Sequence, residues 1–158
     1  MKDLWSLKAS EISKLYLSNE ISLDEIINSV EERFNQVNPK INAIPESTFE
    51  YARKQAKLLD DNKKNNKPLG CLAGVPVTVK INTDQTGFAS TNGLRLNKSL
   101  IAHKNSTVVD NLEKAGALII GRTNTPAFSI RWFTNNSLHG HTFNPHNKNI
   151  TPGGSSGG

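Results

Sequence analysis

Two stretches of this chain combine residue types that could move a proton. The first is Gly74-Val-Pro-Val-Thr-Val-Lys80-Ile, a strand-favouring run that ends in a lysine. An ammonium at the end of an apolar strand is partly desolvated. Desolvation disfavours the charged form, and a lysine with a lowered pKa is a usable base near neutral pH. The same position also suits a lysine whose amine extends past the strand end into water. The second stretch is Thr151-Pro-Gly-Gly-Ser-Ser-Gly-Gly158, in which glycines flank a serine pair. Such a run can bring backbone N–H groups and hydroxyls close to a bound carbonyl or anion. In isolation it reads as a flexible linker, ahead of an expression scar. It is a poor match to a nucleotide-phosphate loop, because no Gly-Lys-Ser/Thr follows.

Other reactive side chains form weaker patterns. His139-Gly-His141 and His146 lie close in sequence, with His103 apart, but no cysteine joins them and no carboxylate lies between Glu113 and the end of the chain. A zinc site is therefore not expected. Cys71, the single cysteine, precedes a strand rather than opening a helix, which does not suit a papain-like nucleophile.

The elements that must position these residues follow from periodicity. Ser10 can cap a short helix to about Ser18, with Ile12, Leu15 and Tyr16 on one side. Ser22-Leu-Asp-Glu25 has the capping-box pattern, and Ile26, Ile27, Val30, Phe34 and Val37 then recur at spacings of three and four, an apolar stripe ended at Asn38-Pro39. Ser47-Thr-Phe-Glu50 repeats the box and opens a third helix with Phe49, Ala52, Ala56 and Leu59 inward. Residues 60–68 read as an exposed polar connector. The period then changes to two, with Val75, Val77 and Val79 in a strand. Ser106-Thr107 caps a helix that turns in Val108, Val109, Leu112 and Ala115. Gly116 ends that helix in a left-handed cap, and residues 117–121 form a buried strand. Strand, helix and strand make a βαβ unit with parallel strands and a right-handed crossover. From Thr123 on, the chain reads mostly as loop.

Composition sets the outer limits. A chain of 158 residues suits one domain and can bury a real core. No apolar run approaches the ~20 residues that cross a bilayer, so no membrane role is expected. The opening Met1-Lys-Asp-Leu-Trp-Ser-Leu7 lacks the layout of a signal peptide, and with one cysteine this predicts a cytoplasmic protein. The net charge is +5. The basic excess lies after residue 61, but its cations are scattered and have no aromatic partners in pattern, so nucleic-acid binding is not expected.

Three landmarks together resemble one family. They are Leu72-Ala-Gly-Val-Pro-Val-Thr-Val-Lys80-Ile-Asn-Thr-Asp-Gln85, Lys114-Ala-Gly-Ala-Leu-Ile-Ile-Gly-Arg-Thr-Asn124 and Phe143-Asn-Pro-His-Asn-Lys-Asn-Ile-Thr-Pro-Gly-Gly-Ser-Ser-Gly-Gly158. In this order, with an Asn38-Pro-x-Ile-Asn-Ala43 turn before them, they resemble the amidase signature hydrolases over almost the whole chain. The resemblance implies an α/β fold, helices covering a mixed central sheet. It implies one incomplete domain, residues 1–61 being a helical N-terminal region and residues 69–158 the start of the catalytic core. It also rules out the linker reading of the glycine-serine run.

The resemblance further implies a Ser–cis-Ser–Lys triad in which Lys80 matches the lysine and Ser155 the cis-serine, with Ser156 and Gly154 on the substrate side. The family nucleophile belongs to a Gly-Gly-Ser motif downstream of Gly158, so the 158-residue chain alone is expected to be inactive. Ile81 stands where many members carry an acidic residue, a difference that bears on subfamily. The implied reaction is hydrolysis of a linear carboxylic amide to an acid and ammonia or an amine. No metal or cofactor takes part, the substrate is a small molecule, and a homodimer is allowed for the full-length enzyme. Two other readings stay open. One is the glutamine amidotransferase subunit that acts on mischarged tRNA, although Arg131-Trp-Phe-Thr-Asn looks more like a stand-alone amidase. The other is a non-catalytic truncated fragment or pseudo-enzyme.

Overall fold

In the computed structural model, residues 3–158 are described. Helix α1 spans Ala9–Leu17 and α2 spans Leu23–Ile41. The capping box before α2 forms as its pattern requires. Glu25 accepts from the Ser22 N–H (2.8 Å), and the Glu25 N–H donates to the Ser22 hydroxyl (3.2 Å). The Ser22 backbone bond first, and then its hydroxyl, hold the Glu25 carboxyl below the ordinary glutamate range.

Asn38-Pro39 does not stop α2. Pro39 lies in the last turn, where its missing N–H forfeits a single helical bond. The helix stops instead at Asn42, which turns to φ 51°. Strand β1 (Glu46–Ser47) follows, then α3 (Phe49–Lys64). The second capping box does not form, because Ser47 pairs in the sheet and Thr48 stands at the cap. The Thr48 hydroxyl donates to the Ile119 carbonyl (2.7 Å) instead. The expected connector from residue 60 is helical through Lys64.

Strand β2 is Pro76–Lys80, α4 is Thr107–Lys114 and β3 is Leu118–Thr123. Val108 is 60% exposed whereas Val109 is fully buried. Neighbours on a helix point about 100° apart, so Val109 can face inward while Val108 faces out. Gly116 takes φ 84° and closes α4. The Gly116 and Ala117 N–H groups return to the Glu113 and Leu112 carbonyls (2.9 and 3.0 Å).

Strand order in the larger sheet is β1-β3-β2. β1 is antiparallel to β3, with Glu46 opposite Arg122 and Ser47 opposite Gly121. The Leu118 N–H donates to the Val75 carbonyl (2.8 Å) and the Ile81 N–H to the Thr123 carbonyl (3.0 Å). The partners rise together along both strands, so β2 and β3 run parallel. The result is an α/β fold with a mixed sheet.

The chain divides into two compact units. One comprises Met1–Gln36, Thr48–Val77 and Asp110–Ile120, the other Val37–Ser47, Thr78–Val109 and Gly121–Gly158. The first holds the apolar core, in which Ile26, Ile27, Phe49, Ala52, Leu118 and Ile120 cluster. The second is richer in loops. It contains a small antiparallel hairpin, β4 (Asn135–Asn136) with β5 (Gly140–His141).

Ile27 is completely buried. Ile27→Ala should cost about 2–5 kcal/mol, from lost transfer energy and the cavity left behind. Val108→Ala should stay within about 0.5 kcal/mol. Urea unfolding of both variants checks the contrast, and equal effects would contradict the burial described.

Candidate active site

The site lies in the second unit and is assembled from a strand end and a loop. Lys80 is the last residue of β2, so the strand fixes its backbone while its side chain leaves the sheet. Its Nζ donates to Ser156 Oγ at 3.0 Å and lies 3.3 Å from Ser155 Oγ. Lys80 is half-buried, and that burial alone holds its pKa below the ordinary lysine range. An amine with two hydroxyl neighbours and a weakened hold on its proton can exchange protons with them. That is the chemistry open to this arrangement.

Threonine hydroxyls hold the serine loop through its backbone groups. The Gly154–Ser155 peptide bond is cis. The Thr134 hydroxyl donates to the Gly153 carbonyl and accepts from the Gly157 N–H, both at 3.1 Å, closing the loop around the serine pair. The Ser155 carbonyl accepts from Thr125 Oγ1 (3.1 Å). A methyl group on Gly154 would come within 2.7 Å of the Arg131 carbonyl oxygen and 2.8 Å of the Phe133 nitrogen, so this backbone runs too close to a neighbour for any side chain. Gly154 lines a small cleft of about 220 Å³ with Ser129, Ile130, Arg131, Trp132 and Ser155.

Beneath the loop lies a buried amide network that the sequence pattern did not single out. Asn124 is fully buried. Its Nδ2 donates to the Gly140 carbonyl (3.2 Å) and Thr142 Oγ1 (3.0 Å), and its Oδ1 accepts from the Thr125 N–H (3.0 Å) and Asn136 Nδ2 (2.7 Å). Asn136 Nδ2 also donates to the Thr125 carbonyl (2.7 Å). Thr125, Thr134 and Asn136 carried no recognisable spacing; Asn124 stood inside a landmark run and Thr134 inside the Arg131-Trp-Phe-Thr-Asn stretch.

Arg122, on β3, is also fully buried. Its Nη2 donates to the carbonyls of Ile81 (3.2 Å) and Thr83 (3.1 Å), the turn just after Lys80, and Glu46 lies 3.6 Å from its Nε. Burial lowers the Arg122 pKa, and Glu46 opposes the shift.

The remaining reactive residues stay apart from this constellation. His139 is mostly buried and sits 3.7 Å from Glu46, its pKa lowered first by burial. His141 packs edge-on against Phe143. His103, His146 and Cys71 are exposed. Among the described residues, no three His, Cys, Asp or Glu side chains gather where they could hold a metal ion.

Comparison with known proteins points one way. The amidase family model matches residues 25–158. The chain is 43% identical over 155 residues to indoleacetamide hydrolase of Bradyrhizobium diazoefficiens, a match covering 98% of this chain and 30% of that protein. It is 39% identical over 156 residues to a subunit of the glutamyl-tRNA(Gln) amidotransferase of Fusobacterium nucleatum, covering 99% and 32%. Among solved structures, a bacterial aryl acylamidase of the amidase signature family aligns with a TM-score of 0.90 at 33% identity, over 96% of this chain and 32% of that one. The chain spans about a third of the length of the relatives it matches. By the family match over residues 25–158 and these relatives, the chain belongs to the amidase signature family.

Proposed function

We propose that residues 1–158 supply the lysine and the bridging serine of an amide hydrolase that cleaves small linear amides to an acid and ammonia or an amine. The observation that carries this reading is the contact of Lys80 Nζ with both hydroxyls of the serine pair, at 3.0 and 3.3 Å. Lys80 acts as the base. Ser155, on the cis peptide, relays a proton between Lys80 and a nucleophilic serine beyond residue 158. Ser156 and Gly154 face the substrate. Neutral Lys80 draws a proton through the Ser155 hydroxyl as the nucleophile attacks the amide carbon. The relay then returns that proton to the departing nitrogen, and water releases the acid from the acyl-enzyme. Every proton moved comes from these groups or from the attacking water, so no metal or organic cofactor is invoked. The reaction belongs in the cytoplasm. Among the described residues, no helix is long and apolar enough to cross a membrane.

A second reading has one observation in its favour, the 39% identity to the amidotransferase protein of Fusobacterium nucleatum. In that case the amide would be glutamine, and partner proteins and a charged tRNA would join the reaction.

The test joins residues 1–158 to the remaining two-thirds of the Bradyrhizobium indoleacetamide hydrolase and measures ammonia release. Lys80→Ala and Ser155→Ala should each lower kcat by roughly 10²–10⁴, the usual worth of positioned acid–base groups. Turnover that survives both changes refutes the relay. By itself, the 158-residue chain should hydrolyse no amide. Hydrolysis by that chain, lost in Lys80→Ala, would require a nucleophile within it, and Ser156 would be the first candidate.

The pH profile supplies an independent check. Protonated Lys80 cannot accept a proton, so kcat/KM should fall as pH drops through the Lys80 pKa and rise above it. Because burial lowers that pKa, the limb should lie below the pH at which a solvent-exposed lysine titrates. A flat profile across the range from neutral to alkaline would contradict the role given to Lys80.

A further inference from the structure

We infer that Thr125 is a positioning residue for the Lys80–Ser155 pair, its hydroxyl tying the serine loop to the segment that leaves Lys80. Three contacts make the tie. Thr125 Oγ1 donates to the Ser155 carbonyl at 3.1 Å, Thr125 Oγ1 and Ser129 Oγ are 2.8 Å apart, and Asn82 Nδ2 donates to Ser129 Oγ at 3.3 Å.

Counting protons gives these contacts a direction. A hydroxyl carries one hydrogen. Thr125 spends its own on the Ser155 carbonyl, which can only accept. Towards Ser129 it must therefore be the acceptor, so the Ser129 hydroxyl donates to it. Ser129 in turn accepts from Asn82. The chain runs one way, from Asn82 through Ser129 and Thr125 to Ser155, and each link polarises the next.

Both ends of the tie are set against movement. Thr125 is fully buried, with its N–H on Asn124 Oδ1 and its carbonyl on Asn136 Nδ2. Ser129 and its neighbour Phe128 take φ values of 59° and 55°, a region that residues other than glycine seldom occupy. The Phe128 N–H donates to the Asn92 carbonyl (3.0 Å) and helps hold that conformation. Asn82 lies two residues beyond Lys80. The tether thus spans from the Lys80 segment to the Ser155 backbone and governs the distance between the amine and the serine hydroxyl.

The catalytic consequence rests on the roles proposed above for Lys80 and Ser155, whereas the tether itself does not. The test accordingly begins with the 158-residue chain and needs no turnover. Trace acetylation of Lys80 by acetic anhydride, read by mass spectrometry from pH 7 to about 11, reports the pKa of its amine. Its nearest partners are the two serine hydroxyls, and burial is the cause of its lowered pKa, with no charged neighbour contributing. Thr125→Val keeps the side-chain shape and deletes the donor. It should free the amine into water and move the acetylation midpoint up, towards that of an exposed lysine, while Thr125→Ser restores the original midpoint. A folded Thr125→Val chain with an unmoved midpoint overturns the inference. If Thr125→Val fails to fold, Ser129→Ala breaks the next link and should shift the midpoint the same way, and an unmoved midpoint there overturns it equally.

In the joined protein, Thr125→Val should lower kcat by roughly ten- to a hundredfold, with KM nearly unchanged and Thr125→Ser recovering the loss. Turnover that persists in Lys80→Ala would sink the catalytic reading and leave the tether standing. A Lys80-dependent enzyme in which Thr125→Val changes neither the midpoint nor kcat would sink the tether and leave the reading.

Discussion

A side-chain amide without partners is costly to bury, and Asn124 escapes that cost by using every hydrogen-bonding position it has. Its two donors hold the β5 side of the hairpin, and its acceptor holds Thr125 and Asn136. The loops of the second unit bury little apolar material, leaving Leu96, Ile130 and Trp132 exposed, and this amide supplies what a core would otherwise provide. It fixes each loop at a defined position and hydrogen-bonding direction. The Ser155 carbonyl is fixed because Thr125 is fixed, and Thr125 is fixed because Asn124 can satisfy itself in one way only.

The two cations beside this network are handled differently, and the difference matches what each can do. Arg122 is fully buried, and it meets two backbone carbonyls and the Glu46 carboxylate. Guanidinium keeps its charge in proteins, so Arg122 serves as a permanent clamp on the turn after Lys80. Lys80 is half-buried with hydroxyls for neighbours. A lysine amine can give up its charge when water is removed, so partial burial alone prepares it for proton exchange.

Much of the first unit could be read in advance, because its helices obey a period. The stripe through Ile26 and Ile27 and the one through Phe49, Ala52, Ala56 and Leu59 are where the spacing puts them. Helix ends were less legible. Pro39 carries a general stop signal, but in a last turn it removes only one bond, and tertiary contacts set the boundary at Asn42. Ser47 and Glu50 fit a capping box, but β3 competes for Ser47 and wins it. Lys80 and the serine pair stood out because unusual residue types sat at a strand end and in a glycine run. Thr125, Thr134 and Asn136 did not, since a threonine or asparagine in a loop looks the same whether it faces water or a buried carbonyl. What distinguishes them is their three-dimensional neighbours, and no period in the sequence encodes those.

The glycines around the serine pair bear on how relatives of this chain can vary. In one dimension, Gly153-Gly154-Ser-Ser-Gly157-Gly158 resembles the segment freest to drift. In the folded chain, Gly154 lies against the backbone of residues 131–133, and Gly157 against Thr134 and the Gly153 carbonyl. Substitution at either position meets backbone, which cannot swing aside as a side chain could. Over evolutionary time the helices should therefore accept exchanges among apolar residues of similar size. Gly154 and Gly157 should accept almost none, and at those two positions the low complexity records a lack of room.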